Sequence, residues 1–262
     1  MTNRESAIFA HFRRDEKPFV ERSLDWIERA LDKYQPVTTP FLDPREQYIL
    51  RTLVQREPEL LLLLDGGYSS AERCRAVVGP SSYLRNDPRL FRLSFLRLET
   101  KSGKPLEHSD VLGTILGLGI KREKVGDLHP HQSGCDIVIA EEMCEFVHNQ
   151  LGQVGREHVN ISKIARNEFI LTEQKYSVRA VTLPSLRVDA LVSEGYRISR
   201  AKAAAWIKNG KCKVNWKVVD QPDYPVEAGD LISLRGYGRI RIMSLDGLTK
   251  KRRNLVKIAS FI

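Results

Sequence analysis

The chain has 262 residues, 42% apolar and 29% charged, with a formal net charge of +9. That length suits two or three domains. Even its apolar run Leu60–Leu64 falls far short of the ~18 residues of a membrane span. The charge is segregated: from Arg179 onward 17 Lys and Arg stand against seven Asp and Glu, a surplus of +10, whereas residues 1–178 sum to −1. A polyanion partner for the last third is the simplest account of that split. The N-terminus lacks the apolar core and small-residue cleavage site of a signal peptide. Cys74, Cys135, Cys144 and Cys212 form no C-x-x-C pair, so reduced thiols and a cytoplasmic location are expected.

Residues 1–80 read as a mostly helical segment. Phe9, Phe12 and Arg13 open a short helix, and Phe19, Val20, Leu24, Ile27 and Leu31 recur at helical spacing over Glu16–Tyr34. Gln35–Pro40 reads as a turn. Asp43-Pro44-Arg45-Glu46 is a helix start: a cap, a proline at the first position and an acid in the first turn. Pro58 ends that helix. Leu60–Leu64 reads as a short buried strand, stopped by Asp65-Gly66-Gly67 ahead of an Arg-rich helix.

Residues 81–168 carry strand-like Phe91–Glu99, helical His108–Gly119, short strands Val125–His129 and Gly134–Ala140, helical Glu141–Leu151 and strand-like Val159–Ala165. The order β-α-β-β-α-β is the ferredoxin-like plait. RNA-recognition modules stack bases on such a sheet, but the usual Lys/Arg-Gly-Phe core is absent, so RNA contact would come from elsewhere on the unit. The candidates are Lys121, Arg122 and Lys124, delivered into a turn by a small-residue helix.

Residues 180–262 form the last domain, after a strand-like stretch over Ser177–Thr182. Ser185 is placed to cap a first helix, with Val188, Leu191 and Val192 on one face and Gly195 as its left-handed stop. Ser199 caps a second, with Ala201, Ala204 and Ala205 as the buried stripe and Asn209-Gly210 as the stop. The period then becomes two, Cys212, Val214 and Trp216 alternating with Lys211, Lys213, Asn215 and Lys217. Asp230–Arg235 and Arg239–Met243 read as strands, and Lys250–Arg253 as a solvated loop or a phosphate-binding arm.

The pattern R-x-D-x-L-x-x-x-G, S-R-x-x-A-x-x-x-I-x-x-G, V-N resembles the S-four RNA-binding domain. It is carried by Arg187, Asp189, Leu191, Gly195, Ser199, Arg200, Ala203, Ile207, Gly210, Val214 and Asn215. Trp216 departs from it where the family has glycine, completing the favoured Asn-Gly hairpin turn. Two further blocks resemble the bacterial YlmH family: FLDPREQ with DGGYSSAERCRAV, and the L-G-x-x-x-G-L-G-x-K-R-x-K-x-G-D run ending at Asp127.

Together these imply an α+β chain: an N-terminal helical segment, a ferredoxin-like middle domain and a C-terminal S-four domain. The function expected is non-catalytic RNA binding on the ribosome. Arg187, Arg200, Lys202, Lys208, Lys211 and Lys213 would pair with phosphates, Ser199 and Asn215 would hydrogen-bond, and Trp216 would stack on a base. The YlmH resemblance implies more: contact with rRNA and tRNA on the large subunit, stabilisation of peptidyl-tRNA in ribosome-associated quality control, and an association with cell division. A monomer without cofactor, metal, membrane or small-molecule substrate is expected. His129, His131, Cys135 and Cys144 fit no standard zinc spacing. The alternative is an RNA-modifying enzyme, pseudouridine-synthase-like or other, with an unfamiliar N-terminal catalytic domain and Asp65, Asp127 and Asp136 as its carboxylates. No synthetase-like, Walker A or G-x-S-x-G motif accompanies them.

Overall fold

The computed structural model describes residues 11–84, 87–173 and 175–261. The chain divides into two compact units, Met1–Thr172 and Glu173–Ile262. Phe9, expected in a first helix, lies outside the described residues; Phe12 and Arg13 precede a 3-10 turn, Arg14–Glu16.

Unit 1 begins with α1 (Lys17–Asp32), which buries Val20, Trp26, Ile27 and Ala30 along one face. Helix α2 (Pro44–Val54) starts where the sequence marks it. The Asp43 carboxylate accepts from the Glu46 N–H at 2.9 Å, and the Glu46 carboxylate accepts from the Asp43 N–H at 2.9 Å.

Both helices pack on an antiparallel sheet of β1 (Val37–Leu42), β2 (Leu60–Asp65) and β3 (Cys74–Pro80), in the order β1-β3-β2. Two expectations are corrected here. The turn read over Gln35–Pro40 is largely strand β1; it tolerates Pro40 because β1 is an edge strand whose register shifts between Thr38 and Phe41. The Arg-rich helix read after Gly67 is the central strand β3, buried throughout. Its Arg75 misled the reading: the guanidinium is satisfied inside, donating to Thr39 O at 2.7 Å and Arg92 O at 3.1 Å. Leu60–Leu64 is the opposite edge strand, and only Leu60 is fully buried.

The plait follows as expected: β4 (Leu93–Thr100), α3 (His108–Gly117), β5 (Val125–His131), β6 (Gly134–Ala140), α4 (Glu141–Gln150) and β8 (Glu157–Ile164), with a short β7 (Gln153–Val154) at the edge. The antiparallel order is β5-β6-β4-β8-β7. One sheet face packs on α3 and α4 through Leu96, Leu98, Ile115, Ile137, Ile139 and Val147. On the other face Phe95, Val138 and Ala140 meet Phe41 of β1 and Phe169 from the segment after β8. This face, where a plait could stack bases, is therefore occupied by the chain's own aromatics.

Residues 166–172 form a strap that locks the joint. Arg166 donates to Asp65 Oδ2 at 2.8 Å and to Gly67 O at 2.9 Å. Fully buried Asp136 accepts Arg97 through two 2.8 Å bonds and the Ile170 N–H at 2.8 Å. His129 Nδ1 accepts from the Thr172 N–H at 3.1 Å, so Nε2 carries the proton toward the Tyr68 hydroxyl at 2.9 Å. Burial lowers the His129 pKa, which favours this neutral form.

Unit 2 is a six-stranded antiparallel sheet of β9 (Tyr176–Leu183), β10 (Cys212–Val214), β11 (Lys217–Val219), β12 (Leu231–Leu234), β13 (Gly238–Leu248) and β14 (Asn254–Phe261), in the order β11-β10-β12-β13-β14-β9. Helices α5 (Val188–Tyr196) and α6 (Arg200–Lys208) share its core with Ile232, Ile240, Val256 and Ile258. The N-cap of α5 is Arg187, not Ser185; the first N–H groups, of buried Val188 and Asp189, donate instead to Tyr224 O and Pro222 O, at 2.9 and 3.0 Å. The left-handed stop is Arg197, at φ 54°, not Gly195. Gly195 is an interior helical residue seated on the sheet: a Cβ there would lie 2.5 Å from Ile240 Cδ1. On α6 the buried residues are Ala203 and Ile207, not the expected alanines, which puts the apolar stripe on another face. Lys250–Arg253 turns between β13 and β14, a strand the reading did not contain.

Gly67 and Gly103 separate close packing from backbone strain. Both have positive φ, 98° and 69°, but a Cβ at Gly67 would sit 2.8 Å from Phe95 Cε1, whereas Gly103 faces open space. Gly67→Ala should cost about 1–3 kcal/mol and Gly103→Ala about 1 kcal/mol in urea denaturation; equal losses would mean that the joint is looser than described. Glu142 supplies a pH test. Burial pushes its pKa up, but bonds from Lys124 and Arg75 outweigh it and hold the carboxyl at about 2, against an ordinary 4.5. Its stabilisation is thus complete above pH 4.5 and lost as pH falls toward 2. Glu142→Gln should flatten acid unfolding, followed by near-UV circular dichroism, within that window.

Candidate nucleic-acid interface

The basic surface of unit 2 is built around one carboxylate. Asp189 enters the first turn of α5 and is 4% exposed. Its Oδ1 accepts from the Ala190 N–H at 2.8 Å, which fixes the rotamer. Arg187 approaches from before α5, donating through Nε and Nη2 at 3.2 Å each. Arg200, at the first position of α6, approaches from the other helix through Nε at 3.1 Å and Nη2 at 3.3 Å. One buried acid thus holds two guanidinium groups, whose side chains stay 40% and 49% exposed. Their remaining N–H groups form a preset fork, the geometry that suits phosphate oxygens.

A second focus is aromatic. Lys211 lies 4.5 Å and Lys202 5.9 Å from the centroid of the Trp206 ring, on α6. Tyr237, in the β12–β13 turn, meets Trp206 edge-on at 5.3 Å and lies 5.7 Å from Tyr196. Sequence reasoning missed Trp206 and Tyr237. Trp206 sits among alanines that looked like a packing stripe, and Tyr237 joins it only through the tertiary fold.

The other expected residues separate into those left open and those engaged. Lys208 and Lys213 are exposed and make no ion pair among the described residues. Ser199 caps α6, accepting from the Lys202 N–H at 3.3 Å. Asn215 closes the β10–β11 turn: its amide donates to Asp230 at 2.8 Å and accepts from the Leu231 N–H at 2.9 Å. Trp216 keeps the hairpin despite replacing glycine. Asn215 and Trp216 take φ 48° and 64°, both left-handed as a two-residue primed turn demands. A bulky residue there carries strain of about 1–2 kcal/mol.

In unit 1 the expected cluster is largely spent on the fold. Arg122 donates to Gly126 O at 3.2 Å and to Val125 O, and Lys124 pairs with Glu142 at 2.7 Å. Lys121 stays exposed at the start of the 3-10 turn Arg122–Lys124. The three carboxylates of the enzyme alternative are engaged likewise. Asp65 pairs with Arg166, and Asp136 with Arg97 and His131. Asp127 accepts from the Tyr68 hydroxyl and the Glu72 N–H, both at 2.7 Å.

Three family models match: "YlmH, N-terminal" over residues 15–83, "Putative RNA-binding domain in YlmH" over 91–168, and "S4 domain" over 186–232. The chain is 36% identical over 247 residues to "Ribosome-associated protein quality control protein P2" of Bacillus subtilis (strain 168), covering 94% of this chain and 95% of that one. It shares its fold with "Cell division protein ylmH from Streptococcus pneumoniae", with a TM-score of 0.55 and 24% identity over 60% of this chain and 96% of that one.

The strain at Trp216 yields a two-sided test. Trp216→Gly should raise stability by about 1 kcal/mol by relieving the left-handed backbone, and should lower affinity for single-stranded RNA if the ring stacks on a base. Higher stability with unchanged affinity would leave the ring without a binding role.

Proposed function

Because the chain belongs to the YlmH family, we propose that it is a non-catalytic RNA-binding protein that acts on the ribosome through unit 2. The observation that carries this reading is the pair of arginines held by Asp189, in the part of the chain that contains the whole basic surplus. A solubilising surface does not need a buried acid to orient its cations. An orienting acid is useful where phosphates must be met at fixed positions, as on a structured RNA read by shape.

The finer reading is that unit 2 contacts rRNA and tRNA on the large subunit and stabilises peptidyl-tRNA during ribosome-associated quality control. The name of the Bacillus subtilis relative and its length-wide match support the setting. In this reading the segments 1–80 and 81–168 set position or recruit partners. The engaged states of Asp65, Asp127 and Asp136 favour binding over RNA modification. Nucleoside mass spectrometry of RNA from a deletion strain checks this point: loss of a modified nucleoside would reverse the preference.

Contact with about six phosphates gives a slope of log affinity against log salt near −4 to −5. The double variant Arg200→Glu, Lys208→Glu should flatten that slope by about 2 and release the protein from ribosomes in sedimentation. Unchanged co-sedimentation of a folded double variant would place the binding surface elsewhere.

A further inference from the structure

Unit 1 gathers cations at a second place, in a stretch of chain whose total charge gives no hint of it. A cleft of about 310 Å³ is lined by Arg29 of α1 and Lys33 at its C-cap, the chain from Gln35 to Thr38, Arg75 of β3 and Arg92 just before β4. The β1–β3 pairing brings the second and third of these together, and Thr38 Oγ1, donating to Leu90 O at 2.9 Å, fixes the approach to Arg92. Arg92 is left-handed at φ 49°. Two bonds to its carbonyl hold it so, from Arg75 Nη1 at 3.1 Å and from the Glu141 N–H at 2.9 Å.

Arg75 is the built part of the site. Its side chain is 6% exposed. Nε and Nη1 are spent on Thr39 O, Arg92 O and Glu142, while Nη2 has no acceptor among the described residues. Around it the charge is poorly balanced. Lys33 makes no ion pair among the described residues, and Arg29 reaches Asp25 only at 3.6 Å on the surface. Arg92 pairs with Glu141 at 3.2 Å, both more than half exposed. Glu142 is shared with Lys124.

We propose that this cleft binds a phosphomonoester dianion, the group carried by free phosphate and by nucleoside 5′-monophosphates. The guanidinium groups of Arg29 and Arg92, the Lys33 ammonium and the open Nη2 of Arg75 offer N–H donors to tetrahedral phosphate oxygens. A carboxylate, with one charge and two oxygens, would leave much of that set unmatched. The volume lies at the small end of small-molecule sites, which suits a mononucleotide. The residues all belong to unit 1, so this site stands or falls independently of the RNA surface of unit 2.

The test is calorimetry and thermal shift on the full chain at constant ionic strength, with inorganic phosphate, a nucleoside 5′-monophosphate, an RNA oligonucleotide bearing hydroxyls at both ends, and a glutamate-rich peptide. Arg75 is left intact because it also holds the fold. Lys33→Ala and Arg29→Ala, both on the surface, should each weaken phosphate and monophosphate binding about tenfold, the loss of one charge-assisted contact. Lys208→Ala in unit 2 should leave that binding unchanged. No binding of either phosphate, binding indifferent to Lys33 and Arg29, or equal binding of the acidic peptide would overturn the proposal. So would titration by the hydroxyl-ended RNA alone, and if Lys208→Ala weakens that RNA, the RNA surface of unit 2 survives while this site does not.

Discussion

A carboxylate taken out of water must find donors, or the fold loses several kcal/mol. Both units are organised by that requirement. Asp136 lies fully buried on β6 of the plait sheet and collects Arg97, His131 and the Ile170 N–H, so the strap can close only where those donors meet. Asp127 gathers the Tyr68 hydroxyl with the Glu72 and Arg73 N–H groups, and so sets the loop after β2 against β5. Asp189 does the same for the two helices of unit 2. Asp136 and Asp127 join segments far apart in sequence, Asp189 two neighbouring helices, and the apolar contacts fill in around each.

Local signals in the sequence carried far. The Asp43 and Ser199 caps, the Asn209-Gly210 stop and the element order of the plait could be read because each depends on a few neighbouring residues. The failures share a cause. Strand β1 contains a proline and β3 an arginine, and both are explained only by their position in a sheet assembled from distant chain. Gly195 looked like a stop because glycine often is one; its role is close approach to Ile240, 45 positions onward. The candidate interface divides likewise. Arg187 and Arg200 were visible as charges, but Asp189 as their common holder was not, nor was the meeting of Trp206 with Tyr237.

The plait illustrates how fold and use separate. Its sheet offers the surface on which other modules stack bases, and here Phe41, Phe95 and Phe169 fill it. The same topology has become an internal support. Any surface that unit 1 offers to other molecules must therefore lie elsewhere, on helix faces, turns or the cleft beside β1.

The strap also imposes an order in time. Arg166 and its partner Asp65 are 101 residues apart, and Thr172, which bonds His129, ends the unit. A chain emerging from its own ribosome exposes α1, β1–β3 and most of the plait before the segment that clamps them exists outside the tunnel. Until then Phe95 lacks its Phe169 neighbour and Asp136 lacks the Ile170 N–H. Domains tend to fold as units during synthesis, and here the last seven residues of the unit act as its fastener. A nascent chain halted short of that point holds an unfinished joint with an aromatic face still uncovered.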